Sequence, residues 1–325
     1  MPSPSVFIII LQYNNSQETL RCLESVKELD YPNYQVVVVD NASDKSEVNN
    51  IKECARSQPT TGLPCLQGSP VVFLENKKNL GYAGGNNAGI NYALENGADY
   101  VFILNNDTTV EQDTLKKLVA TTEADLKIGM VGPATKEGDK VAYFGKIAWL
   151  KTELTHSYMS PDEIHGRPVN RAPMYLTPKE YIIGAAMLIK KEVLKKIEGF
   201  DEIYFLYFED ADLNIRVQLA GYELKIVPEA VVHHQVSAST KKLGSPLILR
   251  YHMRNALIFN SLNAPWHIKI ILIFWAGYVV LKNLIKMFIW PAKEVVADAI
   301  IEGVMDFYKN RFGAIIQNNL ITIKN

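Results

Sequence analysis

The stretch Asp-Tyr-Val-Phe-Ile-Leu-Asn-Asn-Asp, residues 99–107, is an apolar run that ends abruptly in three polar side chains. Residues 101–104 are partly β-branched and predict a central strand covered on both faces. Ligands of open α/β sheets bind at the carboxyl ends of the strands, so Asn105, Asn106 and Asp107 are placed to meet a polar ligand such as a metal-bound phosphate. The alternative is an Asx-type turn that caps a helix at 112–122, and the segment alone does not decide between them.

Strand and helix patterns alternate around this stretch. Apolar runs predict strands at 6–12, 35–40, 71–74 and 100–104, and helical spacing predicts helices at 16–29 and 86–95. Alternation of this kind predicts an α/β fold whose mixed, mainly parallel sheet is flanked by helices. A stretch rich in Pro, Thr and Gly at 57–70 reads as a surface excursion.

The pattern is looser from 137 to 179, which suits either an acceptor-binding flap or a variable loop. After residue 179 the sequence again predicts regular secondary structure. It predicts a strand at 181–190, helices at 191–198 and 210–220, and a strand at 223–227.

Composition narrows the functional classes. The 325 residues are 48% hydrophobic. The 34 Lys and Arg residues nearly balance the 35 Asp and Glu residues, so the chain has no net positive charge to attract nucleic acid, and we do not expect nucleic acid as a partner. The three cysteines have neither metal-ligand spacing nor a close pair, which indicates a reducing compartment. The amino terminus lacks a basic region before its first strand, so we expect no signal peptide.

The segment 268–290 differs from the rest of the chain in composition. It is apolar and aromatic, but its longest uncharged run, 270–281, is shorter than the ~20 residues of a spanning helix. Trp266, Trp275 and Trp290 beside lysines indicate a helix that lies at a bilayer interface. A buried helical subdomain and a dimer surface are the alternatives.

Polar residues follow the second strand and the glycine-rich stretch. Asp40 closes the second strand, where a carboxylate can accept hydrogen bonds from ribose hydroxyls or from the N–H of a pyrimidine, and a turn Asp is the alternative. Gly81, Gly84 and Gly85 allow close backbone approach to a ligand, and Asn86 and Asn87 would start the next helix. The chain lacks the glycine motif of a dinucleotide site and the Lys-Ser/Thr of a P-loop.

Three acids, Glu209, Asp210 and Asp212, follow an aromatic run and open a helix. A helix dipole stabilises acids in a first turn by ~0.3–1 kcal/mol each, which is the structural explanation. If the aromatic run shields these acids from water, the free-energy cost of keeping all three ionised rises. This favours a functional role for the cluster, with one of the acids as a proton acceptor.

Histidines and arginines supply the remaining candidates. His233 and His234 face opposite sides of an extended chain, so at most one of them points into a shared site, where it could join Asp107 around a divalent ion. Arg250, Arg254 and Asn255 share a predicted helix and suit a phosphate or an acidic acceptor, although a surface helix would use arginine similarly.

Taken in order, these residues resemble the inverting nucleotide-sugar glycosyltransferases of family 2, which have the GT-A fold, and within them the bacterial rhamnosyltransferase-like group. The match runs over about residues 6–255. Its segments are Tyr13-Asn14, residues 39–43, Asn79 to Asn87, Leu104 to Asp107, Phe208 to Leu213, His234 and Arg254-Asn255.

The resemblance implies a role for each matched position. Asp40 would hold the nucleotide base, Asp107 and His234 would bind a Mg²⁺ or Mn²⁺ ion that bridges the diphosphate, and Asp210 would be the general base, with His233 the less favoured ligand. Asn105 departs from the family's Asp-x-Asp pattern, so metal affinity would depend more on the donor's phosphates. The other nucleotide-sugar contacts expected from the match are Tyr13, Asn14, Asn79, Gly81, Gly84, Asn86, Asn87 and Asn106; acceptor or phosphate contacts are Glu209, Asp212, Arg254 and Asn255.

The expected organisation is a GT-A catalytic domain over 1–245, with a nucleotide-binding half to about 110 and an acceptor-binding half after it, and a C-terminal helical region over 246–325. We expect an enzyme that moves a sugar from a dTDP-rhamnose or UDP-sugar donor to a glycan or lipid-linked acceptor at the inner face of the cell membrane. A homo-oligomer is left open. The alternatives are a non-catalytic scaffold and a sugar-phosphate nucleotidyltransferase.

Overall fold

A mixed sheet of 12 strands forms the centre of the protein. The computed structural model describes residues 2–56, 71–158, 174–235 and 245–315, so the predicted excursion at 57–70 and part of the 137–179 segment lie outside the described residues. Strand β1 (Val6–Gln12) lies between β2 (Tyr34–Asp40) and the strand that we number β4 (Tyr100–Asn105), and β3 (Val71–Glu75) extends the sheet beyond β2. These four strands are parallel, as the alternating pattern predicts.

Antiparallel pairing builds the other half of the sheet. It contains β5 (Thr108–Val110), β6 (Ile128–Glu137), β7 (Lys140–Ala148), β8 (Glu153–Tyr158), β9 (Met174–Tyr175), β10 (Glu180–Tyr181), β11 (Ala186–Lys190) and β12 (Glu223–His234). Strand β11 joins the halves, because it pairs antiparallel with both β4 and β6. Strand β12 lies parallel to β6 and antiparallel to β5.

Helices cover both faces of the sheet, and a helical group follows it. They are α1 (Ser16–Lys27), α2 (Lys45–Arg56), α3 (Gly81–Glu95), α4 (Thr114–Glu123), α5 (Lys191–Ile197), α6 (Glu209–Leu219), α7 (Pro246–Asn263), α8 (Trp266–Ile289) and α9 (Glu294–Tyr308). Apolar side chains of α1 and α4 pack on one face, and those of α3, α5 and α6 pack on the other. The predicted α/β class with a mixed sheet and C-terminal helices is confirmed.

Helix α3 begins at Gly81, five residues before the predicted start at Asn86. Close packing explains the difference, because a Cβ on Gly85 would lie 2.4 Å from Leu11 Cδ1 and one on Gly89 would lie 2.4 Å from Ile9 Cγ2. The poor helix propensity of glycine is overridden because only glycine lets this helix approach β1 so closely. The Cβ positions of these glycines therefore face protein atoms, and a ligand contact by the Gly85 backbone stays a prediction.

Two other segments contain more regular secondary structure than their sequence patterns predict. Within the loosely patterned 137–179 region, residues 140–148 and 153–158 form the strands β7 and β8. The predicted strand at 223–227 continues to His234 as β12, with a shift in register between Val227 and Val231. That irregularity masks the period-2 pattern on which strand prediction depends.

The C-terminal helices pack on one another and on the sheet domain. Phe259 of α7 stacks on Trp149 with ring centroids 5.3 Å apart, and Arg250 of α7 donates to Asp306 of α9 at 2.6 Å. Helix α8 buries one stripe, formed by Ile268, Leu272, Ala276, Val279 and Asn283. By length and composition alone α8 could cross a membrane, and 28% of its apolar window is buried.

Candidate active site

Asp107 lies in the turn that joins the central strand β4 to β5. Its Oδ1 atom is buried and makes no hydrogen bond, although it lies 3.3 Å from His234 Nε2. Strand β5 separates Asp107 from α4, and the residue before that helix is Asp113, which makes no side-chain capping bond. The alternative in which the Asn-Asn-Asp turn caps the next helix is therefore wrong, and the Asp107 carboxylate faces a polar site.

Strand register selects His234 rather than His233 as the neighbour of Asp107. In β12, His234 pairs with Thr108 of β5, while the side chain of His233 turns to the other face and places Nε2 3.2 Å from Glu111 Oε1. Burial disfavours the imidazolium of His234, but the carboxylates of Asp107 and Glu137 outweigh this effect and raise its pKa to about 9.

Glu137 joins this cluster although sequence reasoning missed it. Its Oε1 atom lies 3.3 Å from His234 Nδ1 and 3.4 Å from His156 Nδ1, and its Oε2 accepts a hydrogen bond from the Tyr158 hydroxyl at 2.5 Å. Hydrogen bonds from His156 and His234 lower the pKa of Glu137 well below its usual range, so the carboxylate is ionised. A useful sequence signal was the Gly138-Asp139 turn after Glu137, which marks a strand end at the same edge of the sheet.

Asp210 occupies the first turn of α6, and backbone donors hold its carboxylate. Oδ2 accepts a hydrogen bond from the Gly184 N–H at 3.1 Å, and Oδ1 accepts one from the Ala211 N–H at 2.8 Å. Burial raises the pKa of Asp210, while these hydrogen bonds and the positive field of His156 oppose the rise. Asp210 is therefore a positioned carboxylate whose pKa is moved towards neutrality, as a general base requires.

The acids beside Asp210 have different environments. Glu209 is 6% exposed, its Oε2 has no hydrogen bond, and burial followed by the charge of Asp210 raises its pKa well above the usual value. Asp212 is 2% exposed and accepts hydrogen bonds from Arg216 Nε at 2.6 Å and from the Tyr204 hydroxyl at 3.1 Å. Asp212 thus holds α6 in place, and its contact with an acceptor stays a prediction.

Tyr82 shows that the two halves of the candidate site converge. Burial raises the pKa of its phenol, and the negative charges of Glu209, Asp210 and Asp107 raise it further. The Tyr82 hydroxyl donates to the Gly184 carbonyl at 2.7 Å, and the Asn105 N–H donates to the neighbouring Ala185 carbonyl at 2.9 Å. Residues 184–185 therefore connect the end of β4 to the start of α6.

On the other side of β1, the carboxyl ends of β1 and β2 form a second polar cluster. Asp40 Oδ2 accepts from the Ser43 N–H at 3.0 Å, as in the predicted turn alternative, but Oδ1 is buried without a hydrogen bond. Gln12 pairs with Asp40 in register, is fully buried, and leaves its Nε2 donor unpaired. Sequence reasoning missed Gln12, although it stands at the end of the first strand.

Loop residues beside this cluster fix its shape. Asn14 has a φ of 49°, its N–H donates to Ser43 Oγ at 2.9 Å, and its Oδ1 accepts from the Asp44 N–H at 2.7 Å. Tyr13 is 49% exposed next to it. Asn14 therefore ties the loop after β1 to the loop after β2, and Tyr13 is free to meet a ligand.

Most of the other predicted nucleotide-sugar residues use their side chains internally. Asn79 Oδ1 accepts from Asn41 and from the Gly81 N–H, Asn86 donates to the Tyr82 carbonyl, and Asn87 both donates to and accepts from the Phe200 backbone. A Cβ on Gly81 would lie 2.3 Å from the Phe205 carbonyl oxygen, and one on Gly84 would meet Leu80 at 2.9 Å. Asn106 donates to Thr19 Oγ1 at 2.9 Å. These contacts shape the site, and direct ligand contacts by these residues stay predictions.

Arg254 and Asn255 lie beneath the aromatic segment that precedes Asp210. They are 1% and 0% exposed, and their donors bind backbone carbonyls of that segment, with Asn255 Nδ2 at 2.8 Å from the Tyr204 and Leu206 oxygens and 3.1 Å from that of Tyr207. The predicted phosphate or acceptor contact stays a prediction. In the structure these two residues support the segment that presents Glu209 and Asp210.

The residues around Asp107 fit part of a divalent-cation site. A buried carboxylate oxygen without a hydrogen bond faces an imidazole nitrogen, and this oxygen–nitrogen pair suits Mn²⁺. Among the residues that the structure describes, no group of three or more His, Cys, Asp or Glu side chains is arranged to hold a metal ion. Asp107 and His234 would therefore need oxygen ligands from a bound diphosphate to complete the shell.

Comparisons with known proteins agree with this fold. Over 261 residues the chain is 24% identical to the dTDP-rhamnosyl transferase RfbF of Shigella flexneri, which covers 78% of this chain and 79% of the relative. It is 24% identical to the rhamnosyltransferase WbbL of Escherichia coli (strain K12), over 77% and 90% of the two chains. The structure of the mannosyltransferase PcManGT from Pyrobaculum calidifontis, in complex with GDP-Man and Mn²⁺, matches with a TM-score of 0.55 and 18% identity over 96% of this chain and 89% of that one.

The sequence profile of glycosyl transferase family 2 matches residues 7–198, more than half of the chain. Those residues include the Asp40 cluster, the Asp107 turn and Glu137, while Asp210 and His234 follow in the same sheet domain. This chain is an enzyme of the GT-A fold and belongs to glycosyl transferase family 2.

Proposed function

We propose that this glycosyltransferase inverts the anomeric centre of a nucleotide-diphosphate sugar by direct displacement with an acceptor hydroxyl. The observation that carries the proposal is the convergence of Asp107 and Asp210 on residues 184–185. The Gly184 N–H binds Asp210 Oδ2 at 3.1 Å, and the Ala185 carbonyl accepts from the N–H of Asn105, two residues before Asp107, at 2.9 Å. A donor diphosphate beside Asp107 would place its sugar towards Asp210. An inverting transferase needs only this one base on the acceptor side of the sugar.

Asp210 serves as the base that receives the acceptor proton. Its carboxylate is held by two backbone N–H groups, so its orientation does not depend on flexible side chains. As the acceptor oxygen forms its bond to the anomeric carbon, the bond to the diphosphate oxygen breaks, and the hydroxyl proton passes to Asp210. Burial raises the pKa of Asp210, while hydrogen bonds from the Ala211 and Gly184 N–H groups and the field of His156 oppose this rise.

Asp107 and His234 would hold Mg²⁺ or Mn²⁺, and the ion would supply positive charge that stabilises the departing diphosphate. The unpaired Asp107 oxygen and the nearby imidazole support this assignment. Because residue 105 is Asn, the 105–107 turn has only one carboxylate, that of Asp107. We therefore expect the phosphates of a bound nucleoside diphosphate to raise the metal affinity markedly.

Asp40 and Gln12 recognise the base. An unpaired acceptor on Asp40 beside an unpaired donor on Gln12 matches the N–H and C=O groups on the imide edge of uracil or thymine. The name of the Shigella relative specifies a dTDP donor. We therefore favour dTDP-rhamnose or a UDP-sugar as the donor.

A glycan or lipid-linked acceptor at a membrane surface suits the C-terminal region. Helix α8 exposes large apolar side chains along its length, including Phe274 at 75% and Phe288 at 90%. No acidic residue stands between Trp266 and Lys293, whereas Lys269, Lys282, Lys286 and Lys293 do. Since its other face packs on α7 and α9, the helix would lie flat on an anionic bilayer.

Release of nucleoside diphosphate from a panel of dTDP-, UDP- and GDP-sugars, with and without Mn²⁺, tests the function. We expect release from a dTDP- or UDP-sugar that needs the metal and an acceptor hydroxyl. Asp210→Asn should keep donor binding while the rate falls by about 10²–10⁴-fold. Turnover of this variant near the wild-type rate would remove Asp210 from its role, and no release from any donor would support a scaffold.

A further inference from the structure

We propose that Glu137 is a positioning residue that orients the His234 imidazole towards the metal beside Asp107. This inference rests on the proposed metal-assisted transfer, and it adds a residue that the family motifs do not contain. Glu137 contacts His234, and we infer that it acts through this imidazole.

The strand register makes the arrangement specific. Strand β12 lies between β5 and β6, so His234 has Thr108 as its partner on one side and Glu137 at the end of the strand on the other. The two ring nitrogens point in these opposite directions, with Nε2 3.3 Å from Asp107 and Nδ1 3.3 Å from Glu137.

The position of the Glu137 carboxylate, with Oε1 3.3 Å from His234 Nδ1, decides which ring nitrogen is left to bind a cation. A carboxylate can only accept a hydrogen bond, so the facing Nδ1 carries the proton. A cation that binds would displace the other ring proton, so the lone pair that it meets would be on Nε2, on the side of Asp107. Carboxylates that hold a metal-binding histidine in this way fix both its tautomer and its ring orientation.

Other side chains hold Glu137 itself. The Tyr158 hydroxyl donates to Oε2 at 2.5 Å, and His156 Nδ1 lies 3.4 Å from Oε1, both from strand β8. Glu137 is also the last residue of β6, just before a two-residue turn with Gly138 at a φ of 59°. These contacts leave the carboxylate little freedom, so its hydrogen bond to His234 has a defined direction.

The neighbouring pair Glu111 and His233 provides a matched control. Its atoms are also a carboxylate oxygen and an imidazole nitrogen, 3.2 Å apart. It lies on the other face of β12, and both side chains are exposed, at 47% and 42%. A variant of Glu111 therefore removes the same kind of contact without touching the Asp107 cluster.

Mn²⁺ titrations followed by electron paramagnetic resonance, alone and with UDP, test the inference on the full chain. Glu137→Ala should weaken Mn²⁺ binding by about 10–100-fold. Glu137→Gln should weaken it less, because the amide oxygen still accepts from Nδ1, and Glu111→Ala should not change it. In turnover assays, the Mn²⁺ concentration for half-maximal rate should rise while the rate at saturating Mn²⁺ recovers.

The outcomes distinguish a failure of the role of Glu137 from a failure of the proposed metal-assisted transfer. If the wild-type protein binds no Mn²⁺ with or without UDP, metal assistance is wrong and the role of Glu137 is wrong with it. If the wild type binds Mn²⁺ and both Glu137 variants bind within about twofold of it, only the positioning role is overturned. Should Glu137→Ala fail to fold, as judged by circular dichroism, the Gln variant alone decides.

Discussion

The Gly184 N–H donates to Asp210 Oδ2 at 3.1 Å, and this hydrogen bond joins the turn before β11 to the first turn of α6. Gly184 has no side chain, and an added Cβ would lie 3.1 Å from both the Cβ and the Oδ2 of Asp210. The contact is therefore specific for glycine. It makes the position of Asp210 depend on a residue that takes no part in the chemistry.

Gly184→Ala should lower the turnover number by about 10²-fold, because the new methyl group displaces the Asp210 carboxylate from its productive position. Binding of the nucleoside diphosphate should change little, since Asp107 and Asp40 are untouched. Steady-state rates and calorimetric UDP binding check both expectations. Gly277→Ala is the control, because nothing lies within 4 Å of a Cβ there; an equal loss in both variants would contradict the prediction.

Glu209→Gln should stabilise the protein increasingly as the pH rises from 5 to 8. Burial raises the folded-state pKa of Glu209 above its ordinary value of 4.5. The group therefore favours folding fully below about pH 4.5, and this contribution is lost as the pH rises through the folded-state pKa. The limiting slope is ~1.4 kcal/mol per pH unit, and thermal unfolding of wild type and variant across the range measures it. If the difference in stability between wild type and variant did not change with pH, the raised pKa of Glu209 would be wrong.

Asn255→Ala should destabilise the protein by ~2–5 kcal/mol, because it removes the side-chain donor of the Leu206 and Tyr207 carbonyls and one of the donors of the Tyr204 carbonyl. Phe205, Tyr207 and Phe208 have φ values of 64°, 71° and 74°, so this segment depends on such external support. Activity should fall with stability, since the segment leads into Asp210. Urea unfolding measures the loss, and Asn96→Ala, at an exposed helix end, should cost less than about 1 kcal/mol.

The double variant Phe274→Ser, Phe288→Ser should reduce binding to vesicles of phosphatidylglycerol and phosphatidylethanolamine by at least about 10-fold. Wild-type binding should also weaken with added salt, because the lysines of α8 attract anionic lipid. Vesicle flotation measures both effects, and Leu126→Ser, at a residue that is 86% exposed, serves as the control. If the wild type ignores vesicles and instead dimerises through these residues in analytical ultracentrifugation, the exposed face is a dimer surface.

The order of strands and helices could be predicted because short apolar runs and helical spacing are local properties. Strand β1 has the predicted bounds, and the predicted strands that became β2 and β4 are each within one residue. Prediction was wrong where packing outweighs propensity, as at Gly85, whose missing Cβ lets α3 approach Leu11. No local pattern shows how closely two elements that are distant in the chain will pack.

The sequence by itself determined which chemical groups this protein has, because the carboxylates at the end of the second strand, after the central strand and after the aromatic run are visible in the order of residues. Only the tertiary structure decided which of them meet. It chose His234 over His233 by strand register, and it brought Glu137 to His234 across 97 positions of the chain. Contacts of that range depend on how the strands pair, and strand pairing is a property of the whole sheet rather than of any segment.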